Sequence, residues 1–365
     1  MRPISRVPST KDRSVPETIV RAAFAIPGDI DLPTGGYAYD RRVLALLPQM
    51  GIDIEHTPLP RAFPRPSGMD LCTTAQVLAG APAGTVMLID GLAYGAFSAA
   101  TLASIPHKIV ALVHHPLAFE TGIGPDRAAA LLASETAALA RADHIIVTSA
   151  MTGAILQANL AVPMDKITVA EPGTDEAPRA TGTGSPLQLL AVGSVVPRKG
   201  YTVLIEALRS LVTPAWHLTI AGAARDPQEL LQVEAAIAAA GLADRIAIAG
   251  AVDDATLATL YNKTDLFVMP SLFEGYGMVL AEAMARGLPI ICTTGGAAAE
   301  TVPDGAGIKV PPADARVLAE ALTRVMGGAQ LRQELADASW AAGQKLPRWT
   351  DTARIIANVI KDVAR

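Results

Sequence analysis

Short apolar runs alternate with longer amphipathic stretches along most of this chain. Residues 19–26, 52–55, 85–89, 108–113, 144–147 and 167–170 are rich in large apolar side chains and too short for stable helices. Runs of this kind predict strands buried on both faces, as in parallel sheets. Between them, residues 37–50 predict a helix with Val43, Leu44, Leu46 and Leu47 on one side, residues 127–141 predict another, and small residues after Gly91 predict a helix to Ile105. A second series repeats the alternation. Its expected strands are 187–192, 217–220, 246–249, 266–269 and 289–292, and its expected helices are 201–211, 228–239, 254–262 and 279–286. Repeated βα units predict an α/β protein with two Rossmann-like domains.

The joint between the two series falls at residues 176–186, rich in Pro, Thr, Gly and Ser and without an apolar period. The expected organisation is a polar, disordered leader (1–18), a first domain (19–175), that linker, and a second domain (187–340). Residues 341–365 would form a final helical segment that could pack back across the cleft, a crossing that periodicity alone does not show. The leader lacks the apolar core of a signal peptide. Residues 81–106 are long and apolar enough to raise the question of a membrane span. Their glycines, prolines and Asp90 instead predict a strand, a turn and a small-residue helix.

Composition narrows the classes further. At 365 residues the chain is long enough for two cores. A net charge of −5 and 4% aromatic content argue against a nucleic-acid binder, which needs a basic stripe interleaved with aromatics. Cys72 and Cys292 match no metal or redox spacing, so reduced thiols in a cytoplasmic protein are expected, with at most peripheral contact at the inner face of a membrane.

The densest chemistry lies between Pro270 and Pro289. An apolar strand ends at Pro270, a loop carries Gly275 and Gly277, and a strongly helical stretch holding Glu282 follows. Strand, glycine loop and helix place a helix N-terminus at the carboxyl end of a sheet, where α/β proteins bind anions. Two carboxylates, Glu274 and Glu282, can accept from vicinal hydroxyls. A ligand with both phosphates and sugars suits that combination.

Phe273-Glu-Gly-Tyr-Gly277, Glu282-Ala-Met-Ala285, Gly287 through Gly296 and Glu300 through Gly305 resemble the donor-site signature of retaining glycosyltransferases of family 4. The likeness is dense from about Leu187 to Pro312 and looser before it. It implies a GT-B fold, a nucleotide-diphosphate sugar (UDP- or GDP-sugar) as donor, and a glycan, lipid-linked or small-molecule acceptor. It implies no cofactor and no catalytic metal. Glu282 would hold the ribose and Glu274 the donor sugar's hydroxyls, both with ordinary pKa values. Gly275, Tyr276, Gly277 and Met278 would surround the donor.

Other positions fit around that site. Gly193-Ser194 and Arg198-Lys199 follow the first strand of the second domain, where cations can meet a diphosphate. The family usually has Arg at the position of Ser194, so Arg198 would supply the missing charge beside Lys199. Gly35 and Gly36 open the first helix and, by the resemblance, would lie over the diphosphate. His114 and His115 continue the strand ending at Val113, and a neutral imidazole there could stabilise charge at the anomeric carbon. His114 is preferred. Asp29-Ile-Asp31 mimics an Asp-x-Asp metal motif but falls in a loop, and Arg61 and Arg65 fit a solvated loop. Three rivals remain: a nucleotide-sugar epimerase, a phosphorylase, for which no lysine has the context to hold pyridoxal phosphate, and a non-catalytic sugar-nucleotide binder. A dehydrogenase is disfavoured because Gly182-Thr-Gly184 precedes a strand.

Overall fold

The computed structural model describes residues 19–365; the expected leader lies outside them. Among the described residues, twelve strands form two sheets in which every pairing is parallel. The first sheet contains β1 (Val20–Pro27), β2 (Ile52–Leu59), β3 (Val86–Asp90), β4 (Lys108–Val113), β5 (His144–Val147) and β6 (Ile167–Val169), in the order β2-β1-β3-β4-β5-β6. The second contains β7 (Leu187–Val192), β8 (Trp216–Ala221), β9 (Ile246–Gly250), β10 (Leu266–Met269), β11 (Ile290–Thr293) and β12 (Gly307–Val310), in the order β12-β11-β10-β7-β8-β9. In both orders the chain reverses direction beside the first strand of the half. That reversal opens a crevice at the carboxyl ends of the strands.

Helices cover both faces of each sheet, so central strands such as β3 and β10 are buried at every position. Edge strand β2 pairs only with β1, and its burial is mixed rather than complete. It also runs four residues past the expected end at Glu55, because its register with β1 continues from Val20–Ile52 to Pro27–Leu59.

Three further expectations change. The helix 37–50 begins at Gly35, where Thr34 caps it through the Tyr37 N–H, and tightens into a 3-10 turn at Leu47–Met50 around Pro48. The single helix to Ile105 is two short ones, Gly91–Tyr94 and Ala99–Ser104, the second capped by Ser98. Helices Gly68–Ala79 and Ala150–Leu160 and strand β12 were not expected at all. Among the described residues, no helix is long and apolar enough to cross a membrane.

Two segments connect the halves. Residues 170–186 carry no helix or strand, although Ala180 donates to the Arg286 carbonyl at 2.9 Å and lies against the second half. The return crossing comes near Pro347, whose carbonyl accepts from Thr174 N–H at 2.8 Å, so both crossings run side by side. The last helix, Trp349–Ala364, then buries Trp349, Ile356, Ala357 and Ile360 among Phe24, Val43 and Leu88 of the first half. Its partner before the crossing, Ala329–Gly343, stays on the second half, where Ala342 packs beside Met284.

Candidate active site between the two sheets

A cavity of about 740 Å3 opens where the carboxyl ends of both sheets face each other. Every residue assigned to the donor site from the sequence lines it. The first half contributes Gly35, Gly36, His114 and His115; the turn after β7 contributes Gly193, Ser194, Arg198 and Lys199; the loop after β10 contributes Glu274 through Met278, and its helix Glu282. Asp29 and Asp31 stay exposed in their loop, where Asp29 Oδ1 accepts from the Asp31 N–H at 2.9 Å.

Glu274 is the electrostatic centre. Its Oε1 accepts from Lys199 Nζ at 2.7 Å and its Oε2 lies 3.3 Å from Arg198. Burial alone would raise its pKa, but Lys199 and then Arg198 outweigh that and hold it down to about 2. The ordinary value expected for this carboxylate is therefore wrong, because the cations meant for a ligand are already gripping it. Gly193 makes the grip sterically possible: a Cβ there would sit 2.8 Å from Lys199 Cε. The loop backbone is fixed as well, since Arg198 donates to the Phe273 carbonyl at 2.7 Å and Glu274 exchanges backbone hydrogen bonds with the Gly295–Ala297 segment.

Glu282 departs from the ordinary range in the other direction. Burial pushes its pKa up, while the Tyr261 hydroxyl, donating at 2.8 Å, pulls it partly back. It keeps one oxygen free of any such partner among the described residues, at the wall of the cavity.

Both histidines face the cavity. His115 is held neutral, its pKa pushed down to about 4 by burial, with Arg198 adding to the effect. Its ring lies 4.7 Å from Phe273, and neither ring nitrogen has a hydrogen-bond partner among the described residues. Unpaired buried nitrogens cost free energy unless a ligand or water completes them. His114 is also pushed down by burial; its Nε2 lies 3.0 Å from Asp40 Oδ1 and its ring meets the Tyr39 ring edge-on at 5.1 Å.

Four lining or supporting residues were missed from sequence. Glu120, from the loop after β4, reaches across to Arg198 Nε at 3.4 Å. Arg225 is an exposed cation on the cavity wall beside Ser194, with no ion pair among the described residues. Asp40 and Asp90 back His114 from inside the first half. A signal for Asp40 existed: it shares the buried stripe of its helix with Tyr37 and Val43, where a charge needs a partner.

The halves touch tightly at Gly275, where a Cβ would fall 2.1 Å from the His114 carbonyl oxygen. Gly275→Ala should therefore force the two walls apart and lower the unfolding free energy by about 1–3 kcal/mol. Chemical denaturation measures that loss, and an unchanged midpoint would contradict the closed geometry.

Fold and family matches together define a member of the GT-B glycosyltransferases. More narrowly, residues 20–173 match the family model described as glycosyl transferase 4-like domain, and residues 174–340 match that described as glycosyl transferases group 1, so the chain belongs to these families along nearly its whole length. A lipopolysaccharide core biosynthesis mannosyltransferase, LpsB, from Rhizobium meliloti is 32% identical over 211 residues, which is 54% of this chain and 59% of that one. The chain thus spans about three fifths of that relative's length, and less than half of the next two curated relatives. Among solved structures, sucrose-phosphate synthase from Thermosynechococcus elongatus superposes with a TM-score of 0.81 at 22% identity, covering 94% of this chain and 98% of that one. HepE of Anabaena in complex with UDP-glucose gives 0.73 at 17% identity, covering 94% and 99%. At those identities the structures establish the fold alone.

Proposed function

We propose that this protein transfers a sugar from a nucleotide-diphosphate sugar to an acceptor hydroxyl, with retention of anomeric configuration and without a divalent ion. The observation that carries the reading is the Arg198–Lys199–Glu274 cluster at the mouth of a glycine loop and helix N-terminus, inside a cavity shared by both halves. As the donor breaks, positive charge grows on the sugar and negative charge on the departing diphosphate. Preorganised cations and backbone N–H groups stabilise the second charge without reorganising. Lys199 and Arg198 are placed for that task, with the helix Met278–Ala285 adding its positive end.

With Glu120 included, the cluster is neutral: two cations face two carboxylates. Glu120 is its loosest member, 44% exposed and 3.4 Å from Arg198. In the proposed complex the diphosphate takes the place of Glu120, while Glu274 stays and orients the sugar's hydroxyls. Glu282 receives the ribose hydroxyls on its free oxygen. Neither glutamate acts as nucleophile; the acceptor proton passes to the departing phosphate on the same face of the sugar.

UDP is the favoured nucleotide because the fold neighbour HepE was solved with UDP-glucose. A glycan or lipid-linked acceptor at the cytoplasmic face of a membrane is favoured because the relative LpsB is a lipopolysaccharide core enzyme. The test is proton NMR of the product formed from UDP- or GDP-sugars and oligosaccharide or lipid-linked acceptors in EDTA. Expected is a new glycosidic anomeric signal with the donor's configuration. An inverted product, or transfer that stops in EDTA and returns with manganese, would overturn the mechanism.

A further inference from the structure

We propose that Asp40 and Asp90 hold one proton between them beneath the cavity floor, and that Asp40 thereby fixes His114 as its Nε2–H tautomer beside the reacting sugar. Asp40 comes from the helix Gly35–Leu46, Asp90 from the end of β3 and His114 from the end of β4. Their ligand-type atoms all lie within 4.8 Å of one another. Asp40 is 0% exposed and Asp90 3%. Two carboxylates this close and this deeply buried cannot both remain ionised without a compensating charge.

The hydrogen bonds assign the proton. Asp90 Oδ1 accepts from the Leu92 N–H at 2.6 Å, and Asp40 Oδ1 faces His114 Nε2 at 3.0 Å. Asp40 Oδ2 is buried with no hydrogen-bond partner among the described residues, and Asp90 is the neighbouring carboxyl of the cluster that can donate to it once protonated. A proton on Asp90 satisfies that oxygen and leaves Asp40 free to accept from His114. The ring then carries its hydrogen on Nε2 and keeps Nδ1 as an acceptor. Burial pushes Asp40 up to about 7, and burial followed by the charge of Asp40 pushes Asp90 up to about 8. The other charged and titratable groups facing the pair are Arg41, which pulls Asp40 down, and Tyr37 and Tyr39, whose own pKa values the pair helps to raise.

Asp40 is a positioning residue here, not a group that touches substrate. The tautomer and its proton rest on the cluster's geometry and burial; their effect on turnover rests on the transferase reading. Two kinds of measurement keep these apart. In nitrogen-15 spectra of the full chain labelled at histidine, the His114 ring should show the Nε2–H pattern. Asp40→Asn, whose amide can donate, should move the ring toward the Nδ1–H pattern and cut kcat at least about tenfold with donor KM within about threefold.

The pair also makes stability depend on pH. A carboxyl whose folded pKa is raised binds its proton more tightly when folded, so its contribution is full below the unfolded value and is lost as pH rises through about 8. Asp90→Asn keeps a donor toward Asp40 at every pH. Between about pH 6 and about pH 9 the wild-type melting temperature should therefore fall at least about 3 °C further than that of Asp90→Asn.

Parallel melting curves for the two proteins, an Nδ1–H pattern in wild type, or a His114 ring unmoved by Asp40→Asn would each overturn the proposal. So would a rise in wild-type melting temperature on adding Mg2+ or Mn2+ that Asp90→Asn abolishes, since the three side chains would then be holding a cation. Should the spectra and melting curves agree while no sugar is transferred, the proton pair stands and the transferase reading falls.

Discussion

Glu274→Ala is expected to lower turnover at least about a thousandfold while UDP affinity holds or tightens. The direction follows from what the carboxylate touches. Lys199 and Arg198, only 12% and 22% exposed, both lean on it. Removing it strands two cations in a poorly hydrated wall, which costs about 3–5 kcal/mol of stability and leaves them free to bind phosphate. Turnover falls because the sugar loses the group proposed to orient its hydroxyls, so the nucleotide still binds in a complex that does not react. Glu282→Ala should do the reverse and weaken nucleotide binding first. Calorimetric titration with UDP, beside initial rates of transfer, separates the two variants; equal losses of UDP affinity would contradict the assigned roles. The same ion pairs set an acid limit. Glu274 has a folded pKa held down to about 2, so the stability it supplies is present above its unfolded value of 4.5 and is lost as pH falls toward 2.

Lys199→Ala should cost about 10²- to 10³-fold in turnover, with donor affinity weakened as well. It removes the shortest charge contact in the site, 2.7 Å to Glu274, and the charge proposed to meet the leaving diphosphate. Arg198, at 3.3 Å from Glu274 and also tied to Glu120 and the Phe273 carbonyl, is anchored too firmly to replace it. Lys199→Arg should not restore full activity, because the turn beside Gly193 leaves no room for a planar fork: a Cβ at Gly193 would already sit 2.8 Å from Lys199 Cε. Steady-state kinetics on the three proteins decide the point, and near-wild-type turnover in Lys199→Ala would remove lysine from the mechanism.

The buried strands were legible because a parallel strand covered on both faces must be apolar throughout, as β3, β4 and β10 are. Strand β12 escaped notice because it is a short edge strand, Gly-Ile-Lys-Val, with a lysine in its middle. The helix Gly68–Ala79 carried a readable signal, the Ser67–Asp70 capping box, but Arg and Pro just before it drew attention to a loop. The helix Ala150–Leu160 likewise begins at the cap Ser149.

In the candidate site, the residues that came through were those whose local setting already implies chemistry, such as Lys199 on a turn after a strand or Glu274 in a glycine loop. Residues whose meaning depends on a distant partner did not. Glu120 matters only because Arg198, 78 positions later, lies opposite it. Asp90 looked like a turn residue until Asp40 and His114 closed around it. The pKa of Glu274 was misjudged for the same reason: sequence places it near cations but does not say that they bind it.

The account rests on a cavity that grips a nucleoside diphosphate through Lys199, Arg198 and loop amides. Calorimetric titration of UDP and GDP into the full chain in EDTA measures that grip directly. One nucleotide per chain in wild type, binding clearly weakened in Lys199→Ala and strengthened or unchanged in Glu274→Ala, is the predicted result. Heat absent for both nucleotides, or present only after a divalent ion is added, would contradict it.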